Sequence, residues 1–180
     1  MRRQCCLLRW RLTQTPYNSE SEMSRPPRIP NWLPWEQRTI YFITFCVQDR
    51  KSVLANSQVW QICRATFDRL DHWIVLAAIA MPDHLHLLAA PMHDRNASVS
   101  AFTKWFKRWF NETYWVVGPR VSGATSFTWE WQEGCFDRLL RSGESVSEKW
   151  EYLKQNPVRA GLVKNSNDWP YQFEFDGDGV

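Results

Sequence analysis

The spacing of two apolar runs constrains the fold of this chain more than any other feature. WIVLAAIAM (73–81) and HLHLLAAP (84–91) are both typical of strands, and only Pro82 and Asp83 separate them. A crossover between parallel strands needs a dozen or more residues, so these two strands must be antiparallel neighbours joined by a tight turn. The chain therefore contains an antiparallel hairpin.

Helices and further extended segments surround this hairpin in the sequence. Alternation and helical spacing of apolar residues locate them, and Pro157 ends the last helix because proline disfavours helical backbone at the residue before it. The pattern predicts an α+β fold in which helices flank an antiparallel sheet. The predicted elements are a strand at 39–47, a helix from Asn56 to about Leu70, a helix at 98–114, a short strand or extended segment at 127–131, and a helix at 146–155 whose start carries a capping box formed by Ser145 and Glu148.

Composition places most of the chain in one domain. Residues 1–36 contain five prolines among many polar residues, which predicts a flexible N-terminal extension, and residues 37–175 form the folded domain. Hydrophobic residues make up 44 % of the 180, yet no run approaches the roughly 18 unbroken apolar residues of a membrane span. The five cysteines show no paired zinc-binding spacing. We expect a cytoplasmic protein with no membrane partner.

The sequence MPDHLHLL places two histidines one residue apart at the start of a strand. Alternate side chains of a strand share a face, so His84 and His86 project together while Leu85 and Leu87 face the other way. Two imidazoles arranged in this way can bind one divalent ion. Two ligands do not complete a metal site, however, and paired surface histidines are the alternative interpretation.

A second candidate group lies on the helix at 146–155. The spacing i, i+4 places Tyr152 and Asn156 on one face, one turn apart, with Lys149 beside them. A phenol, an amide oxygen and a cation could act as nucleophile, metal ligand and phosphate contact. The alternative interpretation is a boundary tyrosine followed by an asparagine that caps the helix.

Together these motifs resemble the HUH transposases with a single catalytic tyrosine (IS200-like), and in particular the REP-associated tyrosine transposase subgroup. The resemblance covers about residues 28–172. It rests on YFITFCVQDR, MPDHLHLL, WQEGCFDRLLR at 131–141, EYLKQNPVRAGLV and the DWPYQ that follows. The fold implied is the palm-like antiparallel sheet of HUH transposases, related to ferredoxin-like and RRM-like folds.

The resemblance also implies roles for individual residues. His84 and His86 match the metal-binding triplet, Tyr152 matches the nucleophile, and Asn156 matches the third metal ligand. Asp83 stands at a position that is often acidic in such proteins; we expect its side chain to point away from His84 and to act in the second shell. The implied cofactor is a divalent metal, Mg²⁺ or Mn²⁺, and nitrogen ligands favour Mn²⁺.

The implied partner is single-stranded DNA that carries a hairpin, resembling a REP palindrome. The net charge of +3 is compatible with a nucleic-acid partner without requiring one. A nucleoid-associated location and either a monomer or a homodimer are consistent with the resemblance. The candidate DNA-binding residues are basic side chains on or near two predicted helices, the one at 98–114 and the one at 146–155, here called the tyrosine helix. They are Lys104, Lys107, Arg108, Arg138, Arg141 and Lys149.

Two other functions compete with this hypothesis. A rolling-circle replication initiator or relaxase would use the same chemistry, although the single tyrosine candidate and the short chain favour a transposase. A non-catalytic, domesticated nucleic-acid-binding module on an RRM-like sheet would need none of the four residues His84, His86, Tyr152 and Asn156.

Overall fold

A computed structural model of the chain describes residues 39–117, 129–140 and 146–175. The predicted extension at 1–36, Ser145 and Arg141 lie outside these residues. Among the described helices, none has the length and apolar character needed to cross a bilayer. The elements are β1 (Tyr41–Cys46), α1 (Ser57–Asp68), β2 (Trp73–Met81), β3 (His84–Pro91), α2 (Val99–Val117), β4 (Phe136–Leu139), α3 (Val146–Lys154), α4 (Asn156–Arg159) and β5 (Gln172–Glu174).

The strands form one five-stranded sheet in the order β4-β1-β3-β2-β5, and every pairing is antiparallel. The predicted hairpin is confirmed: β2 and β3 have the expected bounds, and Met81 pairs with His84 across the turn. The helix begun by Asn56 is confirmed as well, since the Asn56 side chain accepts a hydrogen bond from the backbone N–H of Val59 at 2.9 Å. The fold is α+β, as predicted.

Two strands differ from the prediction, and α2 continues to Val117, beyond its expected end at residue 114. β4 and β5 were not predicted, because segments of four and three residues with charged side chains carry little strand signal of their own. Both are edge strands, and their neighbours β1 and β2 provide their pairing. Of the segment predicted at 127–131, the described part contributes only an isolated bridge from Trp131 to Val47.

The tyrosine helix is shorter than expected. α3 ends at Lys154, and Asn156 opens the short helix α4 with Pro157 in its first turn. Proline lacks a backbone N–H and its φ is preset for a helix start, so Pro157 ends one helix and begins the next. Tyr152 and Asn156 therefore lie on two consecutive helices.

The main core lies on one face of the sheet, here called the aromatic face. It is built from Ile43, Phe45, Leu85 and Leu87 on the strands, and α1 and α2 cover it. The rings of Phe45 and Phe106 stack with their centroids 4.7 Å apart. Burial of so many large apolar side chains makes this face the principal source of stability. Its main helical contributors are Val59, Trp60, Ile62, Cys63, Phe67, Phe102, Phe106 and Phe110.

Candidate active site

The opposite side of the sheet, here called the histidine face, carries Phe42, Thr44 and Cys46 from β1 and His84 and His86 from β3. The strand register places Thr44 opposite His86 and Cys46 opposite His84. None of these side chains belongs to the main core cluster. Strand alternation therefore sends the leucines into the core and presents both histidines on the other side, as the sequence predicted.

The two imidazoles meet edge to edge. Their Nε2 atoms are 3.1 Å apart, and the ring centroids are separated by 4.6 Å. His86 is only 1 % exposed, whereas His84 lies nearer to solvent. The pair thus presents two nitrogen atoms to a single point at the edge of the buried region.

This spacing fits a shared divalent ion. Two nitrogens bonded to one ion at about 2.1 Å and at right angles lie about 3 Å apart. A histidine ligand must be neutral, and the pKa of His86 lies well below its usual range. Burial is the main cause, followed by the charges of His84, Lys149, Arg50 and Arg159. Within the described ranges, no cluster of three or more His, Cys, Asp or Glu side chains is arranged to hold an ion.

Asp83 contradicts one expectation from the sequence. Its side chain points toward His84: Nδ1 of His84 donates to Oδ1 of Asp83 at 2.6 Å. The reason is the tight turn, which folds the Asp83 carboxylate back over the ring of the next residue. Asp83 therefore contacts the imidazole nitrogen that faces away from His86 and fixes the orientation of the His84 ring.

Arg50 holds this carboxylate from the other side. Its Nε donates to Oδ2 of Asp83 at 2.7 Å. Burial acts to raise the pKa of Asp83, but the hydrogen bond from His84 and the charges of His84 and Arg50 outweigh it and lower the pKa. Asp49 and Arg50 both have a φ of 56°, a left-handed conformation that costs non-glycine residues energy. The strained turn brings the guanidinium over Asp83.

Tyr152 lies on α3, which packs on the histidine face. Trp150 and Leu153 are buried and attach the helix to the sheet, while Val146 is partly buried. The Trp150 indole N–H also donates to Glu174 Oε2 of β5 at 2.7 Å. Tyr152 lies outside this buried stripe and is 38 % exposed, which leaves its ring accessible to a large substrate.

A series of contacts connects His86 to Tyr152. The ring of Phe42 lies 5.2 Å from the His86 ring, and Nζ of Lys149 lies 4.5 Å from the centre of the Phe42 ring. The same Nζ is 5.1 Å from the centre of the Tyr152 ring. The structure therefore brings the tyrosine helix and the histidine pair to one face of the sheet, with a lysine between them.

Asn156 and Arg159 complete the group at the end of α3. Nη2 of Arg159 donates to Oδ1 of Asn156 at 2.6 Å and to the backbone carbonyl of Tyr152 at 2.9 Å. The guanidinium lies 4.2 Å from the centre of the Tyr152 ring. An amide oxygen has two lone pairs, so the bond from Arg159 leaves one of them for another partner.

The candidate DNA-binding residues do not all lie together. Lys149 is in the group just described, and Arg138 pairs with Phe42 in the β1–β4 register and is exposed on the histidine face. Lys104, Lys107 and Arg108 lie on α2, which covers the aromatic face. Lys107 donates to the backbone carbonyls of Gln132 and Gly134, and Arg108 pairs with Glu112.

Four residues of this site were not found by sequence reasoning: Thr44, Arg50, Phe136 and Arg159. Thr44 was hidden because alternation shows which β1 residues share a face but not which strand pairs beside them. Phe136 lies opposite Thr44 on β4 and is 52 % exposed beside Phe42. Arg159 lies within NPVRAGLV and contacts both Tyr152 and Asn156. These contacts depend on the turn between α3 and α4, which the sequence pattern does not predict.

Fold and site together define a class of protein: an α+β domain with a five-stranded antiparallel sheet that presents paired histidines and an accessible tyrosine on one face. The fold matches that of a solved REP-associated tyrosine transposase bound to a REP hairpin. The TM-score is 0.58 at 22 % identity, covering 85 % of this chain and 82 % of that one.

Curated relatives agree with the resemblance seen in the motifs. A Haemophilus influenzae protein that is provisionally named a REP-associated tyrosine transposase is 28 % identical, covering 73 % of this chain and 77 % of that protein. The Escherichia coli REP-associated tyrosine transposase is 24 % identical, covering 73 % of each chain. No protein-family model matches the chain. The chain is similar to the REP-associated tyrosine transposases, and the resemblance is confirmed.

Proposed function

We propose that this chain is a transposase that cleaves and rejoins single-stranded DNA carrying a hairpin, with Tyr152 as the nucleophile. The observation that carries the proposal is the placement of the histidine pair, in which His86 is buried, and an accessible tyrosine on one face of the sheet, with Lys149 between them. Curated relatives named as transposases support the general activity. The hairpin in the related solved complex supports the choice of substrate.

His84, His86 and the amide oxygen of Asn156 would hold a divalent ion, Mn²⁺ or Mg²⁺. Bound there, the ion would act as a Lewis acid that polarises the scissile phosphate. The protein's own contribution is to keep His86 neutral by burial and to fix His84 through Asp83 and Arg50. Lys149 and Arg159 place positive charge beside the tyrosine, where a phosphodiester would have to lie.

The reaction exchanges one phosphodiester for another. The Tyr152 oxygen attacks phosphorus and loses its proton, the bond from phosphorus to the 3′ oxygen breaks, and that oxygen takes up a proton. The 5′ phosphate remains on the tyrosine as a phosphodiester. Attack by a 3′ hydroxyl reverses these steps and joins the strands, so rejoining requires no ATP.

The DNA would contact the histidine face first through its phosphates and then through its bases. Arg138, Lys149 and Arg159 supply cations on this face. Phe136 supplies an exposed aromatic ring on which an unpaired base can stack. A DNA substrate would be met in the cytoplasm, at the nucleoid. Both a monomer and a homodimer are compatible with this proposal.

Replacement of Tyr152 by Phe tests the nucleophile. We expect Tyr152→Phe to lose cleavage and the covalent protein–DNA adduct while it still binds a hairpin oligonucleotide in a mobility-shift assay. Tyr171→Phe is the matched control, because Tyr171 packs against Trp169 and against the main core cluster, to which neither histidine belongs. An adduct on Tyr152→Phe would contradict the proposal. Hairpin binding by the wild-type protein without any cleavage, in Mn²⁺ or Mg²⁺, would favour the binding module instead.

A further inference from the structure

The buried nitrogen of His86 has a dedicated partner. Nδ1 of His86 lies 2.8 Å from Oγ1 of Thr44, its cross-strand neighbour. Thr44 is 2 % exposed and His86 1 % exposed, so the contact is shielded from water. His84 is oriented by a carboxylate and a guanidinium, whereas the equivalent nitrogen of His86 contacts a neutral hydroxyl.

The hydrogen positions in the pair follow from the partners. A carboxylate only accepts, so Nδ1 of His84 carries a hydrogen, and Nε2 of a neutral His84 is an acceptor. With His84 in this neutral form, Nε2 of His86 donates across the 3.1 Å contact, and Nδ1 of His86 accepts the Thr44 hydroxyl hydrogen. In this state His86 offers no lone pair at Nε2.

Metal binding demands the other tautomer. For Nε2 of His86 to offer its lone pair, the hydrogen must stand on Nδ1, and Oγ1 of Thr44 must accept it. A hydroxyl can donate in the first state and accept in the second, whereas a carbonyl or a carboxylate can only accept. Thr44 therefore satisfies the buried nitrogen in both states.

We propose that Thr44 is a positioning residue that holds the His86 ring and follows its change of tautomer when the pair binds a divalent ion. This inference rests on the proposed function, because it assigns the ion to the histidine pair. It adds a residue outside the histidine, tyrosine and asparagine motifs. Thr44 acts through His86 and does not itself contact the ion or the DNA.

Two substitutions at one position test the role. Thr44→Val preserves shape and removes the hydroxyl, while Thr44→Ser keeps the hydroxyl and removes a methyl group. Titration calorimetry with MnCl₂, in the absence of DNA, should show Mn²⁺ affinity about 10- to 100-fold weaker for Thr44→Val and within about threefold of wild type for Thr44→Ser. Thermal unfolding without metal reports any purely structural effect.

The results separate this inference from the proposed function. Equal Mn²⁺ affinity for wild type and Thr44→Val, or equal loss in both variants, would overturn the role of Thr44. Absence of Mn²⁺ binding by the wild type would instead overturn the metal site. Should Thr44→Val fail to fold, ¹⁵N spectra of the wild-type histidines decide: hydrogen on Nε2 of His86 without metal and on Nδ1 with Zn²⁺ is expected, and an unchanged tautomer would refute the inference.

Discussion

The two faces of the sheet are formed by alternate residues of the same strands, yet they differ in what covers them. The aromatic face is covered by α1 and α2 and is filled with stacked rings such as Phe45, Phe102 and Phe106. The histidine face buries Thr44 and His86, both polar, under one short helix. The alternation of side chains along the strands therefore puts the apolar core on one face and the candidate catalytic residues on the other.

The contrast has a physical basis. A polar group that is buried must be hydrogen bonded, and on the histidine face the His86 ring and the Thr44 hydroxyl are hydrogen bonded to each other. Cations gather on the histidine face, where Arg50, Lys149 and Arg159 act on His86. Changes on the two faces should therefore have different consequences.

The largest effect is expected from the histidine pair. His86→Ala removes one nitrogen from the proposed ion site and should lower the cleavage rate about 1,000-fold or more. His72→Ala is the matched control, because His72 is exposed and packs against His93 outside the site. The measurement is single-turnover cleavage of a labelled hairpin oligonucleotide with Mn²⁺. Similar rates for His86→Ala and His72→Ala would contradict the assignment.

A core change on the aromatic face should act on stability instead. Phe106→Ala leaves a cavity among stacked rings and should lower the free energy of unfolding by about 3–5 kcal/mol. Tyr152→Phe changes one atom at the surface and should alter it by less than about 0.5 kcal/mol. Urea unfolding followed by circular dichroism compares the two. A larger loss for Tyr152→Phe would reverse the comparison between the faces.

Phe136 should contribute to DNA binding more than the aromatic surface of α2 does. Loss of a stacking ring costs about 1–3 kcal/mol of binding, so Phe136→Ala should weaken the affinity for single-stranded DNA roughly 5- to 150-fold. Phe136→Trp should restore it. Trp105→Ala is the control from α2, where Trp105 is 48 % exposed beside Lys104 and Arg108. A greater loss of DNA affinity for Trp105→Ala than for Phe136→Ala, measured by fluorescence anisotropy, would indicate that the DNA binds along α2.

The smallest effect is expected for Lys107 on α2, the helix that covers the aromatic face. Burial lowers the pKa of Lys107 from 10.5 to about 8. Between these values the unfolded chain holds a proton that the folded chain has lost, so the lysine's contribution to stability improves as pH rises through this range. Relative to Lys107→Met, the wild type should gain about 1 kcal/mol from pH 7.5 to 9.5 in urea unfolding. If the difference in free energy of unfolding between the two proteins does not change with pH, burial does not lower the pKa of Lys107.

Much of the fold could be predicted from the sequence because its signals are local. The hairpin follows from a two-residue gap, and Asn56 marks the start of α1 through its side-chain oxygen. β4 and β5 escaped prediction since their pairing depends on neighbours far away in the sequence. The break between α3 and α4 shows the ambiguity of proline, which both ends and begins helices.

The site was predictable only where the residues share one segment. His84 and His86 are two positions apart, so alternation alone places them together. Thr44 and Arg50 reach them through strand register and a left-handed turn, which no local pattern encodes. Asp83 was assigned the wrong direction because alternation was extended from the strand into the turn, where it no longer applies.

The decisive test of the proposed site is a structure of Tyr152→Phe with Mn²⁺ and a hairpin oligonucleotide. Anomalous scattering at the manganese edge locates the ion without ambiguity. We expect the ion on Nε2 of His84 and His86, with a backbone phosphate of the DNA between it and the ring at position 152. An ion or a phosphate that lies elsewhere, for instance along α2, would contradict the account.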